Sequence, residues 1–393
     1  MAKDSSPGFA FTGNRSASNK TPREINRNLV FHLIRTHQPL SRADLARLSG
    51  LQRSTISLIV EILIQERWIL EGSTGRLPRG RRPTFLHLND QRAVVAIDIH
   101  TSQTTVAVVG LDGKILAHNV IPIPDDPGKA VSTIVGEVQK VLSQNTRSFD
   151  GIGISVPGRP EPNPAHPIFT PRLKWSVLDL QTRLQSETGL SVVMENVANG
   201  CVLSEVWFGD TDGVHDLVVV NVSDGIGAGI FVNGRIVRGN EGMAGEFGHI
   251  QIDSSGPACA CGGNGCWEVF ASNRAALRYY AELAGKPALD SFDALIRLAQ
   301  AGDSTACSAL EKMSAYLGRG LRMIAAAIAP SEIVIVGEIT NAWALFGPTI
   351  LAEMKRNSLP GLPVLRPSIE ASTARLRSAV AMVLNEGQTE ESH

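Results

Sequence analysis

The stretch that decides the fold of this 393-residue chain reads Ala244-Gly245-Glu246-Phe247-Gly248-His249 and then, after nine intervening residues, Cys259-Ala260-Cys261-Gly262-Gly263-Asn264-Gly265-Cys266. Three thiols on a short glycine-rich loop, together with one imidazole, can surround a single ion. That ligand set is typical of structural rather than catalytic zinc. His249, Cys259, Cys261 and Cys266 are therefore predicted zinc ligands; the alternative is a loop of reduced thiols without metal.

Two carboxylates flank these four residues in the sequence. Glu246 precedes the histidine and Glu268 follows the last cysteine. Carboxylates and amides that converge in a cleft suit the hydroxyls of a polyol, although an exposed surface carboxylate is the simpler interpretation of either residue alone. The remaining cysteines, Cys201 and Cys307, stand alone and are predicted to be small buried apolar residues.

Outside this segment, one order of elements occurs twice. Apolar strands at 94–99 and 105–109 lead into an Asp112-Gly113 hairpin, and strands at 217–222 and 228–232 lead into an Asn233-Gly234 hairpin. The repeat predicts two similar α/β halves with a cleft between them. Other predicted elements are strands at 152–156 and 333–336 and helices at 129–144, 274–284, 291–301, 304–328 and 374–384.

Charge divides the chain unevenly. Residues 1–90 hold fourteen Lys and Arg against seven Asp and Glu, which leaves 23 basic and 31 acidic residues in 91–393. A basic head on an acidic body indicates an anionic partner for the head alone. We expect a flexible arm at 1–20, a head at 21–90 and a larger domain at 91–393.

The head reads as three short helices followed by a hairpin. The first begins near Arg23 and ends before Pro39, the second follows an N-cap at Ser41 and stops at Gly50, and the third covers about 53–65. The second and third helices are predicted to bury Leu45, Leu48, Ile56, Ile59, Val60 and Leu63. This order is the winged helix-turn-helix layout; the alternative is a helical bundle that serves dimerisation.

Six polar residues of the head are candidates for DNA contact. Arg53, Ser54 and Ser57 fall away from the apolar stripe of the third helix, which predicts contact with the major groove, unless that face is simply exposed. The basic hairpin tip suits a narrow minor groove, or else is a solvated linker. Its three candidates are Arg79, Arg81 and Arg82.

Composition excludes several classes of protein. With 43% hydrophobic and 19% charged residues, the chain is not disordered throughout. No apolar stretch approaches the roughly 20 residues of a membrane helix, and the amino terminus lacks the apolar segment of a secretory signal. We therefore expect a cytoplasmic protein with no membrane partner.

Taken together, these motifs resemble the ROK family of repressors, open reading frames and sugar kinases, over essentially 91–393. The head resembles that of the family's repressors of the N-acetylglucosamine, xylose and glucose type, including Gly80-Arg81-Arg82-Pro83. Besides the histidine and cysteine segment, the resemblance rests on Val156-Pro157-Gly158, Glu195-Asn196-Val197-Ala198-Asn199, Gly225-Ile226-Gly227-Ala228-Gly229 and Ile333-Val334-Ile335-Val336-Gly337.

The resemblance implies two ribonuclease-H-like halves, as in actin and hexokinase, and a structural zinc ion on the histidine and three cysteines. It also implies sugar contacts from Asn196, Glu246, His249 and Glu268. His249 can serve both metal and sugar only if one ring nitrogen binds the ion and the other faces the sugar.

Three departures from the family's kinases argue against phosphoryl transfer. Val197 stands where the kinases place the Asp that serves as general base, and valine cannot accept a proton. The phosphate turn reads Asp98-Ile99-His100-Thr101-Ser102, without the two glycines of Asp-x-Gly-Gly-Thr. The second turn carries Asp224, whose charge repels phosphate.

The sequence therefore predicts a sugar-responsive DNA-binding regulator, expected to be a repressor and a homodimer on a two-fold operator, with no catalytic residue. Two alternatives stay open. One is an active ATP-dependent sugar kinase that carries a DNA-binding head. The other is a regulator controlled by a transporter or signalling protein instead of a free sugar.

Overall fold

The computed structural model describes residues 22–74, 83–100, 103–158, 177–209, 214, 216–357, 360–369 and 373–390. The chain divides into two compact units between Asn89 and Asp90. In the part that the structure describes, no helix is both long enough and apolar enough to cross a membrane.

The first unit consists of three helices and a small antiparallel sheet with the strand order β1-β3-β2. In chain order its elements are α1 (Pro22–His37), β1 (Leu40–Ser41), α2 (Arg42–Ser49), α3 (Arg53–Gln65), β2 (Ile69–Thr74) and β3 (Thr84–Leu88). The predicted helices are confirmed, and β2 and β3 form the predicted hairpin. The short strand β1, which the sequence does not predict, pairs with β3.

A capping box starts α2. The Ser41 hydroxyl accepts a hydrogen bond from the Asp44 backbone N–H, and the Asp44 carboxylate accepts one from the Ser41 N–H. Gly50 ends the helix with φ of 70°, a left-handed conformation that favours glycine. Residues 50–52 thus form a three-residue turn between α2 and α3, as in helix-turn-helix motifs.

Burial in α3 follows the predicted stripe, and the prediction for α2 is wrong at one residue. Leu45 is the only buried residue of α2, whereas Leu48 is 48% exposed. Because α2 has only eight residues, it meets the core at one position rather than along a stripe. The buried residues of α3 are Ile56, Ile59, Val60 and Leu63.

The second unit contains two five-stranded sheets, each with three strands in antiparallel order followed by two in parallel order. The first sheet has the order β6-β5-β4-β7-β8. Its strands are β4 (Arg92–Ile99), β5 (Gln103–Gly110), β6 (Ile115–Pro122), β7 (Ser148–Val156) and β8 (Val192–Asn196). The helices in this part of the chain are α4 (Pro127–Ser143), α5 (Val177–Thr188) and α6 (Val197–Phe208).

The second sheet repeats this arrangement with the order β11-β10-β9-β12-β13. Its strands are β9 (Leu217–Val222), β10 (Ile226–Val232), β11 (Arg235–Ile236), β12 (Glu332–Val336) and β13 (Val364–Pro367). The remaining helices are α7 (Glu268–Ala271), α8 (Asn273–Ala284), α9 (Phe292–Gln300), α10 (Ser304–Ile328), α11 (Trp343–Lys355) and α12 (Ala374–Glu390). The bounds predicted for α10 and β9 agree with the structure.

Two helices lie between the sheets. α12 packs on β4 and β7 of the first sheet, α6 packs on β9 and β10 of the second, and the two helices pack against each other. The opposite face of the first sheet is covered by α4 and α5, and that of the second by the helices from α8 to α11. Each half therefore has its own apolar core, and polar groups at the strand ends between the halves can form a site.

Candidate functional site

A cavity of about 150 Å³ opens between the two halves of the second unit. Its walls come from the start of α6 on one side and from the turn at 223–228, the segment 244–249 and Glu268 on the other. All four predicted sugar contacts lie on these walls. They are Asn196, Glu246, His249 and Glu268.

The predicted metal ligands lie beside this cavity as one cluster. The ligand atoms of His249, Cys259, Cys261 and Cys266 are all within 4.8 Å of one another. The sulfurs of Cys261 and Cys266 are 3.6 Å apart, and the Cys259 sulfur is 3.5 Å from His249 Nδ1. Tetrahedral zinc with Zn–S bonds of about 2.3 Å needs sulfurs roughly 3.8 Å apart, so these residues fit the ion.

Backbone hydrogen bonds fold the cysteine loop tightly. Gly265 O accepts from the Ile252 N–H, and the Cys259 N–H donates to Gly263 O at 2.8 Å. Gly265 has φ of 65°, and a Cβ at this position would lie 1.5 Å from Asp253 O. Only glycine allows this approach, so the loop geometry that gathers the sulfurs depends on that residue.

The imidazole of His249 joins the cluster to the cavity. Its Nδ1 faces Cys259, and its Nε2 is 3.7 Å from Glu246 Oε2. The two nitrogens thus face different partners, which is the arrangement that a combined metal and sugar role requires. A metal on Nδ1 would leave Nε2 as an N–H donor toward the cavity.

Glu268 lies at the junction of the cluster and the cavity. It is only 5% exposed and accepts a hydrogen bond from the Cys259 thiol at 3.2 Å. It is therefore not the exposed surface carboxylate of the simpler interpretation. Burial raises the pKa of both Cys259 and Cys266, whereas the backbone N–H of Gly263 lowers that of Cys261. A divalent cation would draw the remaining protons from such thiols.

The other cysteines behave differently. Cys201 is fully buried in α6, and burial raises its pKa to about 12, as for an inert apolar residue. Cys307 is half-buried in α10. The prediction of a small buried residue is thus confirmed for Cys201 and only partly for Cys307.

The start of α6 forms the cavity wall opposite the cluster of predicted metal ligands. Asn196 caps the helix: its Oδ1 accepts from the Ala198 N–H at 2.8 Å, and its Nδ2 donates to Gly158 O. Val197 follows, 6% exposed, and contributes an apolar patch to the cavity wall. This side of the cavity therefore offers a fixed amide but no proton acceptor at position 197.

Glu195 connects the two halves beside Asn196. Its carboxylate accepts hydrogen bonds from the Asn196 N–H, the Asn199 side chain and, at 2.6 Å, Arg238. Glu195 is the second-to-last residue of β8 in the first sheet, whereas Arg238 follows β11 of the second. This ion pair, which the sequence analysis does not predict, bridges the two halves next to the cavity.

A second ion pair lies where the family's kinases have their phosphate turn. Asp98 is buried at the end of β4, where Arg375 Nη2 lies 2.7 Å from its Oδ1 and His100 Nε2 lies 3.0 Å from its Oδ2. Burial by itself raises the pKa of Asp98, but Arg375 and His100 outweigh it and hold that pKa below its usual value. The carboxylate is thus already paired with the Arg375 guanidinium and in contact with His100.

The sequence does not predict that Arg375 belongs to the site, because it is a single arginine near the start of an apolar helix. Both Arg375 and His100 line the cavity, as does Asp224 in the second turn. Thr101 and Ser102 lie outside the described residues.

The candidate DNA contacts fall in two groups. Arg53, Ser54 and Ser57 are all exposed on α3, and the Ser57 hydroxyl donates to Arg53 O at 2.9 Å. The three hairpin arginines, Arg79, Arg81 and Arg82, lie outside the described residues.

Comparison with known proteins gives the same family for most of the chain. The model of the ROK family matches residues 94–381. A xylose repressor of Bacillus subtilis is 31% identical over 338 residues, which cover 85% of this chain and 86% of the repressor. The Escherichia coli transcriptional dual regulator NagC is 27% identical over 369 residues, or 90% of this chain and 91% of NagC.

Solved structures agree with the fold. A ROK family transcriptional regulator, a homologue of the E. coli MLC protein, superposes with a TM-score of 0.75 at 27% identity and covers 94% of this chain and 98% of its own. A ROK family glucokinase from Streptomyces griseus, in complex with glucose and AMPPNP, gives 0.67 at 25% identity over 73% of this chain and 98% of its own. The predicted α/β fold with hexokinase-like halves and a helical N-terminal region is confirmed.

Proposed function

Because the chain belongs to the ROK family, we propose that it is a sugar-responsive, DNA-binding transcriptional repressor. The observation that carries this proposal is the combination of a helix-turn-helix in the first unit with a cavity lined by amide and carboxylate groups in the second. The similarity to a xylose repressor and to NagC, over 85% and 90% of this chain, supports it.

The first unit would bind DNA as a winged helix-turn-helix. The three-residue turn at 50–52 joins α2 to α3, and α3 presents Arg53, Ser54 and Ser57 to solvent. In such motifs the second helix enters the major groove with its N-terminal residues on the base edges. A homodimer would place two α3 helices on a two-fold operator.

The cavity would bind a sugar. Glu246 and Glu268 offer carboxylate acceptors on one wall and Asn196 an amide on the other, so hydroxyls on opposite faces of a sugar ring find partners in both halves. His249, Cys259, Cys261 and Cys266 would hold a structural zinc ion. Zinc would supply rigidity, because it fixes the loop between His249 and Glu268 that presents these acceptors.

Phosphoryl transfer is not part of this proposal. The family resemblance puts a general base at position 197, where a buried valine contributes only apolar surface. Asp98 is paired with Arg375 and His100, and a carboxylate so paired is less able to hold a cation beside a nucleotide. The protein would therefore bind its sugar without modifying it.

The protein can regulate transcription in response to sugar only if sugar binding changes its affinity for DNA. A sugar that touches both walls favours the closed arrangement of the halves, and it alters DNA binding only if that arrangement has a different affinity for the operator. We expect sugar to release DNA.

The experiment is fluorescence anisotropy of the purified chain with DNA from upstream of its own gene, at two salt concentrations and with a panel of common sugars. Selective binding that one sugar weakens supports the proposal. Selective binding that no sugar alters, with no thermal stabilisation by any sugar, would favour a transporter or signalling protein as the input.

A kinase is the second candidate, favoured by the likeness to a glucokinase with bound glucose and AMPPNP. It predicts sugar-dependent ATP turnover by the unmodified chain. Detection of sugar phosphate, in amounts that scale with protein concentration and fall in a matched Glu268→Gln sample at subsaturating sugar, would overturn the non-enzymatic interpretation.

A further inference from the structure

The exposed face of α3 carries an apolar residue among polar ones. Leu58 is 56% exposed, whereas the apolar stripe on the opposite side of this helix is buried. Ser54 lies one turn before Leu58 and Glu61 almost one turn after it, and both are exposed. Because residues three and four apart are neighbours on a helix surface, these three side chains share one face.

This face is poorly suited to the phosphate backbone of DNA. Phosphates attract cations, whereas Leu58 is uncharged and Glu61 is acidic. The base edges of the major groove offer a better match, because they include amino donors and one apolar group, the C5 methyl of thymine. A leucine in this position can bury its side chain against that methyl group.

A protein partner fits this face less well. Stable protein interfaces bury at least about 1,000 Å² around an apolar centre. The exposed neighbours of Leu58 on α3 are Ser54, Ser57 and Glu61, so among the described residues of this helix the exposed apolar area is a single side chain.

We propose that Leu58 is a base-reading residue that contacts the C5 methyl of a thymine in each half-site of the operator. This inference rests on the proposed DNA-binding function and extends it to an apolar residue of the same helix. Leu58 lies in the N-terminal half of α3 (Arg53–Gln65), which is the part of a recognition helix that reaches base edges.

The test replaces thymine by uracil, which keeps Watson–Crick pairing and removes only the methyl group. The probe is the shortest duplex that the full-length chain binds selectively, obtained from a random DNA pool. Each thymine is replaced in turn, in both half-sites together. We expect one replacement to weaken binding by about fourfold per half-site, the loss that corresponds to one buried methyl group.

Leu58→Ala should bind the thymine and uracil duplexes with equal affinity at that position, because the partner of the methyl group is gone. The matched control is Leu48→Ala, which removes a similarly exposed leucine from α2 and should keep the difference between thymine and uracil. Circular dichroism checks that both variants fold.

Three results would overturn the inference while leaving DNA binding intact. They are insensitivity of the unmodified chain to every replacement, an unchanged uracil profile in Leu58→Ala, and loss of the difference between thymine and uracil in Leu48→Ala as well. A chain that selects no sequence from the pool would overturn the proposed function itself.

Discussion

Arg375 and Asp98 are 277 residues apart in sequence, yet Arg375 Nη2 lies 2.7 Å from Asp98 Oδ1. Asp98 is the second-to-last residue of β4 and Arg375 the second residue of α12, so this largely buried pair fixes the helix to the sheet at the rim of the cavity. The arginine also lines the cavity. Stability and the ligand site therefore depend on the same contact.

Arg375→Met should destabilise the second unit by about 3–5 kcal/mol at pH 7, because it leaves a buried carboxylate without its main counter-ion. Paired Asp98, with its lowered pKa, contributes stability that is present above the unfolded pKa of about 3.9 and lost as the pH falls through the folded pKa. In the variant, Asp98 instead takes up a proton on acidification. The stability gap between the two proteins should thus narrow from pH 7 toward pH 4, which urea unfolding measures.

The control for this experiment is the double variant Asp98→Asn with Arg375→Met. It removes both charges and should be more stable at pH 7 than Arg375→Met alone, since breaking one side of a buried pair costs more than replacing both. A gap that is independent of pH would show that Arg375 acts through packing rather than charge.

Cys261→Ser should abolish zinc binding and with it sugar binding. Cys261 is exposed, so the substitution removes a ligand without opening a core. We expect about one zinc per unmodified chain by metal analysis after dialysis and none in the variant. The control is Cys307→Ser, outside the cluster, which should retain zinc. Normal sugar affinity in zinc-free protein would contradict the proposed role of the loop.

Glu268→Gln should weaken sugar binding by roughly 10- to 100-fold, because it replaces a charge-assisted hydrogen bond by a neutral one in a buried position. The zinc content should stay the same, since Glu268 is not one of the four residues whose ligand atoms cluster. Titration calorimetry measures the affinity, and Glu311→Gln, at an exposed position of α10, is the charge-matched control. Equal affinity in all three proteins would remove Glu268 from the site.

Arg81→Ala with Arg82→Ala should weaken DNA binding and reduce its salt dependence. Loss of two phosphate contacts lowers the slope of log K against log salt by about 1.8. The control, Arg319→Ala with Arg356→Ala, removes two exposed charges from the second unit and should leave the slope unchanged. If the slope of log K against log salt stays the same in Arg81→Ala with Arg82→Ala, these two arginines belong to a linker that does not contact DNA.

Some amphipathic helices, such as α3 and α10, could be predicted from the sequence, whereas α6, which has no polar face, could not. α3 and α10 show a clear 3.6-residue period, and their predicted bounds agree with the structure. α6 lies between α12 and the second sheet, and eight of its twelve residues are buried. A helix covered on nearly all sides has no polar stripe to mark it, so the sequence does not predict it.

The residues of the site also fall into those that the sequence predicts and those that it does not. Cys259, Cys261 and Cys266 are close in sequence, so their spacing alone predicts a cluster. Arg375 and Arg238 reach the cavity region from distant elements, and neither belongs to a local motif. Long-range ion pairs of this kind depend on how the two halves pack, which no short pattern records.

The position of α12 on the first sheet has a consequence for synthesis of the protein. Ser155 of β7 donates to Arg375 O, 220 residues further along the chain. At about 5–20 residues per second, a ribosome needs roughly 11 to 44 seconds to add that length. During this interval the nascent first sheet lacks the helix that covers one face, which makes the half-made chain a natural client for chaperones. Truncation before residue 374 would therefore expose a sheet face rather than trim an appendage.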